Sequence, residues 1–201
     1  MIFSRLSAYV PGMSKSKSIF LVGPMGTGKT TIGRHLAKAL HMEFLDSDHE
    51  IEERTGADIT WIFDIEGEAG FRRRESAVID ELTRRENIVL ATGGGVVLDP
   101  KNRQRLKQRG IVIYLHTDVE LLVKRTARDT KRPLLQTGNP REKLRELMAA
   151  REPLYRELAD ITLTTSDYTV RGAIKALVGK LAQKQKSRPP SGYNKTKSKA
   201  G

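Results

Sequence analysis

Ile19-Phe20-Leu21-Val22 runs directly into Gly23-Pro24-Met25-Gly26-Thr27-Gly28-Lys29-Thr30, and Ile32, Leu36 and Leu40 follow at helical spacing. A short apolar run, a G-x-x-x-x-G-K-T loop and an amphipathic helix, in that order, place a phosphate-binding loop in its required context. Glycines at 23, 26 and 28 allow successive backbone N–H groups to turn inward and form a concave cage for phosphate oxygens. The helix that follows points its positive end at the same place. Gly26, Thr27, Gly28, Lys29, Thr30 and Thr31 are therefore candidate nucleotide-binding residues. Lys29 supplies a mobile charge for the β- and γ-phosphates, and the Thr30 hydroxyl is a hard oxygen donor suited to Mg²⁺.

Outward from this loop the chain alternates strand and helix. Apolar runs predict strands at about 19–22, 43–45, 88–91, 111–115 and 160–164, with helices at about 29–40, 67–85, 100–108, 118–127, 140–158 and 169–183. The runs Ile88-Val89-Leu90 and Ile111-Val112-Ile113-Tyr114-Leu115 are continuous rather than alternating, as in strands buried on both faces of a parallel sheet. The expected fold class is α/β, a three-layer α/β/α arrangement around a five-stranded parallel sheet, with a P-loop. Ligands bind beyond the carboxyl ends of such strands. The distinctive residues fall there: the phosphate loop after the first strand, Asp46 and Asp48 after the second, Gly93, Gly94 and Gly95 after the third.

Composition narrows the chemistry. The 201 residues contain no cysteine, which excludes disulfides, thiol nucleophiles and cysteine metal sites. No apolar run is long enough to span a bilayer, so no membrane partner is expected and a cytoplasmic location is the default. The formal net charge is +12, but residues 1–18 and 183–201 hold nine basic residues and no acidic one, which leaves the intervening domain mildly basic. The expected organisation is an N-terminal extension over 1–17, one α/β domain over 18–182 and a basic tail over 183–201, the two ends disordered by composition. A specific nucleic-acid partner is not expected, although a nucleic-acid-associated ATP-binding module is the reading that the overall charge alone suggests.

Three further stretches carry chemistry. Asp46-Ser47-Asp48 places two carboxylates at i and i+2; in an extended segment they point to opposite sides, Asp46 towards Thr30 and its metal, Asp48 towards a substrate hydroxyl. Helix capping by Asp48 ahead of His49–Arg54 is the alternative. Gly67-Glu-Ala-Gly-Phe-Arg-Arg-Arg-Glu75 puts three arginines in the first turns of a helix, where they fan over different faces. One of them is expected to face an anionic ligand, with Glu75 bracing Arg72 three residues away. Thr92-Gly93-Gly94-Gly95 allows main chain to approach a ligand closely, or is a plain turn. The basic segment from Arg125 to Leu135 has the makings of a flap over a γ-phosphate, or of a solvated connection.

Taken together, six motifs resemble the shikimate kinase family: Gly-Pro-Met-Gly-Thr-Gly-Lys-Thr-Thr from Gly23, Phe-Leu-Asp-Ser-Asp from Phe44, Gly-Glu-x-Gly-Phe-Arg-x-x-Glu from Gly67, Ala-Thr-Gly-Gly-Gly from Ala91, Lys-Arg-Pro-Leu-Leu from Lys131 and Arg-Glu-Pro-Leu-Tyr from Arg151. The resemblance spans about residues 17–180. It implies a sheet of the nucleoside-monophosphate-kinase type, a substrate-binding insertion at about 48–75 and a lid at about 126–137. It also implies ATP-dependent, Mg²⁺-assisted phosphorylation of the 3-hydroxyl of shikimate by a monomer. On that resemblance Lys29, Asp48 and Arg132 are catalytic, Arg125 and Arg132 bind nucleotide, and Thr30 with Asp46 supports the metal. Asp48, Arg72, Gly93, Gly94, Gly95 and Arg151 then bind shikimate, with Phe63 and Phe71 lining its ring. Another small P-loop kinase, acting on gluconate or a nucleotide, is the rival within enzymes.

Overall fold

Alternate residues of the central strands feed two separate cores, one on each face of the sheet. The computed structural model describes residues 17–127 and 139–186. Among these residues five strands, β1 (Ser18–Val22), β2 (Glu43–Asp46), β3 (Ile88–Ala91), β4 (Gly110–His116) and β5 (Ile161–Thr164), pair in parallel in the order β2-β3-β1-β4-β5. Phe20 and Val22 of β1, with Leu90, Val112 and Tyr114, pack on one side; Ile19 and Leu21, with Val89, Ile113 and Leu115, pack on the other. This two-sided burial is the physical reason that the strands are continuously apolar.

Among the described residues seven α-helices cover the sheet: α1 (Lys29–Leu40), α2 (Ser47–Thr55), α3 (Ile59–Leu82), α4 (Pro100–Arg109), α5 (Val119–Thr126), α6 (Pro140–Leu158) and α7 (Val170–Lys186). Ile32 and Leu36 of α1 and Leu177 and Leu181 of α7 fill the core that contains Ile19 and Leu21. Ile51, Phe71, Ile79, Leu106 and Tyr155, from α2, α3, α4 and α6, fill the other. Leu122 of α5 with Leu144 and Met148 of α6 makes a small satellite cluster. Full burial of an aliphatic or phenylalanine side chain stabilises by about 1.5–3 kcal/mol, so the two sheet faces dominate the fold's stability. No helix among the described residues is long and apolar enough to cross a membrane.

The strand and helix order agrees with expectation except around residues 47–67. The helix expected from residue 67 begins at Ile59, capped by the Asp58 side chain, which accepts from the Trp61 N–H at 2.8 Å. Gly67, with φ 68° and ψ 179°, breaks helical geometry inside α3, and the Arg74–Glu66 ion pair at 2.5 Å closes over the break. The first segment escaped pattern reading because Trp61 and Ile65, 55% and 64% exposed, spoil its polar face. The expected extension over 1–17 and the tail over 183–201 lie almost wholly outside the described residues, as do residues 128–137 of the expected lid, Arg132 among them.

Candidate active site

The phosphate loop is held open by its own polar groups. Gly26 and Gly28 take φ of 79° and 87°, left-handed values that a side chain resists, and Gly28 caps α1 with no side-chain hydrogen bond to the helix N-terminus. The first N–H groups of α1 are thus left for an anion rather than for a capping residue. Thr27, 1% exposed, donates to the Pro24 carbonyl at 2.9 Å and fixes the loop from inside. The Lys29 ammonium folds back to the carbonyls of Gly23 and Pro24 at 2.7 and 2.9 Å, spanning the loop. Arg125, at the end of α5, donates to the Gly26 carbonyl at 3.2 Å and stands beside this cage. Thr31 is exposed on the first turn of α1.

Beside it, the Thr30 hydroxyl donates to Asp46 Oδ2 at 2.7 Å. Asp46 also caps α2, its other oxygen accepting from the Asp48 N–H at 3.1 Å. Asp46 is therefore the capping aspartate and Asp48 belongs to the first turn of α2, where an extended segment was expected. The turn still separates the two carboxylates. Asp46 faces Thr30, while Asp48 Oδ1 lies buried against the loop after β3, where a Cβ on Gly93 would fall 2.7 Å from it.

Arg72, Arg151, Asp48 and the three glycines converge at the ends of β2 and β3. A Cβ on Gly93 would also meet Glu75 at 2.5 Å, and one on Gly95 would overlap the Arg72 guanidinium, so only glycine lets these groups close on the loop. The loop is tied down by the buried Ser47 hydroxyl, which accepts from the Gly93 N–H at 3.0 Å, and by Thr92, whose hydroxyl donates to the Leu21 carbonyl at 2.9 Å. Arg72 binds Glu75 at 2.7 Å and Glu68 at 2.9 Å and lies over the Phe71 ring at 5.2 Å; Phe71 packs on Phe63 at 4.8 Å. Of its neighbours, Arg74 pairs with Glu66 and Arg73 is exposed, so a single arginine of the three enters the site.

Two charged residues occupy core positions. On α6 the buried stripe Leu144, Met148, Arg151, Tyr155, Leu158 includes Arg151 at 6% exposure; on α3 the stripe Phe71, Glu75, Val78, Leu82 includes Glu75 at 1%. Burial pushes the Glu75 carboxyl up, and the charge of Arg72 and, more weakly, Arg151 opposes this. Burial also lowers the Arg151 guanidinium, and repulsion from Arg72 adds to it, with Tyr155, Glu68 and Glu75 compensating in part. For Arg72 burial works downward, but the charge and hydrogen bonds of Glu75 and Glu68 outweigh it, so Arg72 is held firmly protonated. The buried Arg151 guanidinium and the partly exposed Arg72 guanidinium thus share the site with the carboxylates of Glu75, Glu68 and Asp48; the ion pairs fall on Arg72, and Arg151 makes none among the described residues.

The comparisons with known proteins give this arrangement its family. The shikimate kinase family model matches residues 25–185. The chain belongs to the shikimate kinase family. A shikimate kinase of Vibrio cholerae serotype O1 is 59% identical over 171 residues, covering 85% of this chain and 98% of that one. A solved shikimate kinase from Acinetobacter baumannii in complex with shikimate aligns with a TM-score of 0.77 at 57% identity, covering 86% of this chain and 94% of that one. A gluconokinase from Sinorhizobium meliloti, at 16% identity and a TM-score of 0.53, shares the fold alone. Ser47, Glu68 and Tyr155 form part of the same site without having been assigned a role from sequence.

Proposed function

We propose that the chain transfers the γ-phosphoryl group of ATP to the 3-hydroxyl of shikimate, giving shikimate 3-phosphate and ADP in the shikimate pathway of aromatic amino-acid biosynthesis. The observation that carries this reading is the buried Arg151 guanidinium together with Arg72, beside Asp48 and the glycine loop. A ring alcohol bearing a carboxylate supplies a negative charge for Arg151 at one end and a nucleophilic oxygen at the other. The solved Acinetobacter baumannii relative, a shikimate complex, supports the same acceptor.

Phosphoryl transfer needs positioning and charge stabilisation more than a strong base. The N–H groups of residues 26–30 and the Lys29 ammonium hold the nucleotide phosphates, with Lys29 exchanging its loop carbonyls for phosphate oxygens. Asp48 orients the acceptor hydroxyl and takes its proton late. Gly93, Gly94 and Gly95 form the floor beneath the acceptor, and Arg125 stands where it can stack on the base. Arg132 is the proposed lid arginine.

The donors near Thr30 fit Mg²⁺ rather than a softer metal. Among the described residues no group of three or more His, Cys, Asp or Glu side chains gathers into a metal cage. One hydroxyl with one carboxylate behind it is the sparse protein contribution that Mg²⁺ takes when phosphates and water complete its shell. Thr30 would bind the ion directly and Asp46 through water. The ion would neutralise charge developing on the phosphates. A monomeric, cytoplasmic enzyme is the simplest form of this reading.

The test is ADP formation measured with shikimate, gluconate, AMP and CMP as acceptors. Turnover confined to shikimate is expected. Equal or faster turnover with gluconate or a nucleotide would remove shikimate as the acceptor.

A further inference from the structure

We propose that Tyr155 is a positioning residue that couples the acceptor grip to the phosphate loop, by holding the carbonyl of Gly94 beside the Arg151 guanidinium. The inference rests on the acceptor reading above and adds a residue and a thermodynamic link to it.

Tyr155 is fully buried, and its hydroxyl donates to the Gly94 carbonyl oxygen. Arg151 precedes it by one helical turn on the same face of α6, and its guanidinium acts on the phenol oxygen. Gly94 is the centre of the glycine loop. On one side Gly93 abuts Asp48 and Glu75; on the other Gly95 abuts Arg72. Gly94 itself lies against the phosphate loop, where a Cβ would stand 3.4 Å from the Met25 amide nitrogen and 3.6 Å from the Gly23 carbonyl oxygen. One hydroxyl thus pins the segment that touches the acceptor residues and the nucleotide cage together.

Peptide planarity extends its reach. With the Gly94 carbonyl held towards the phenol, the N–H of Gly95 in the same trans peptide points the opposite way, away from α6. Rotation of that peptide would move the donor and the floor beneath Arg72 at once.

The neighbouring ring provides an internal control. Tyr155 stacks on Tyr114 at 5.1 Å with an interplanar angle of 19°, and both are fully buried. The Tyr114 hydroxyl has no hydrogen-bond partner among the described residues. Within one stack, one hydroxyl is tied to the site and the other is not, so deleting each in turn separates positioning from packing.

Tyr155→Phe keeps the ring and removes the tie. The KM for shikimate is expected to rise roughly tenfold, the usual effect of losing a hydrogen bond next to a charged group. The factor by which ADP tightens shikimate binding, read by calorimetric titration with and without ADP, is expected to fall towards one. Tyr114→Phe should leave both quantities at wild-type values. A Tyr155→Phe protein with a lower melting temperature but unchanged KM and unchanged ADP effect would overturn the proposal, as would a wild-type protein whose shikimate affinity ignores ADP. Should Tyr155→Phe fail to fold, the unmodified protein still decides: the Tyr155 hydroxyl proton, assigned through ring-labelled tyrosine, is expected to shift on saturation with either shikimate or ADP. A resonance insensitive to one of them refutes the coupling. Loss of shikimate-dependent turnover in the wild type would instead strike the acceptor reading, so the two failures are distinguishable.

Discussion

In the proposed function the donor side of the site is made by eight consecutive residues, 23–30, whereas the acceptor side is assembled from four segments, at 47–48, 71–75, 93–95 and 151–155. On the donor side the work is done mainly by backbone, whose direction follows from loop dihedrals and a helix end. On the acceptor side it is done by charged side chains brought from α2, α3 and α6 onto one glycine loop. On the proposed function, acceptor identity resides in the dispersed residues.

Substitutions should divide along the same line. The largest loss is expected on the donor side: Lys29→Ala should lower kcat on the order of a thousandfold with every acceptor, and normal turnover in that variant would break the assignment of the loop. Asp48→Asn, at the junction, should cut kcat by about a hundredfold while leaving the shikimate KM nearly unchanged. A change confined to KM would move Asp48 wholly to the acceptor side. Arg72→Ala and Arg151→Ala should raise the shikimate KM by roughly thirtyfold each with a smaller effect on kcat and none on the ATP KM; an unchanged acceptor KM in either variant would remove that arginine from the grip.

The two sides also differed in how far the sequence revealed them. The phosphate loop was legible because its chemistry and its context are contiguous, and the strands were legible because two-sided burial leaves no polar residue in Ile19–Val22 or Ile88–Ala91. Asp48 was harder, since whether a residue two places beyond a strand is extended or helical depends on where the helix is capped, and Asp46 does the capping. The start of α3 was hidden by Gly67 and by an apolar exposed face. Ser47 and Tyr155 gave no separate signal as site residues. Yet Arg151 and Glu75 did carry one that periodicity alone exposes: each is a charge in the middle of an otherwise apolar helical stripe, where only a partner or a ligand repays its burial.

Glu75 gives the smallest and most local test. Its carboxyl is raised above its ordinary value of 4.5, so the folded state favours the protonated form. Its contribution to stability is complete below that value and is lost as pH rises through the raised one. The melting temperature of the wild type should therefore decline relative to Glu75→Gln as pH increases from about 4.5. A difference that stays flat with pH would show that Glu75 titrates normally and that Arg72 and Arg151 are better neutralised than their burial implies.

The central claim is that the buried Arg151 guanidinium and its neighbour Arg72 select a carboxylate, and the most direct measurement is calorimetric binding of shikimate against its uncharged carboxamide. The carboxamide should bind the wild type roughly thirtyfold more weakly, and that gap should narrow sharply in Arg151→Ala. Equal affinity of acid and amide for the wild type would contradict the claim.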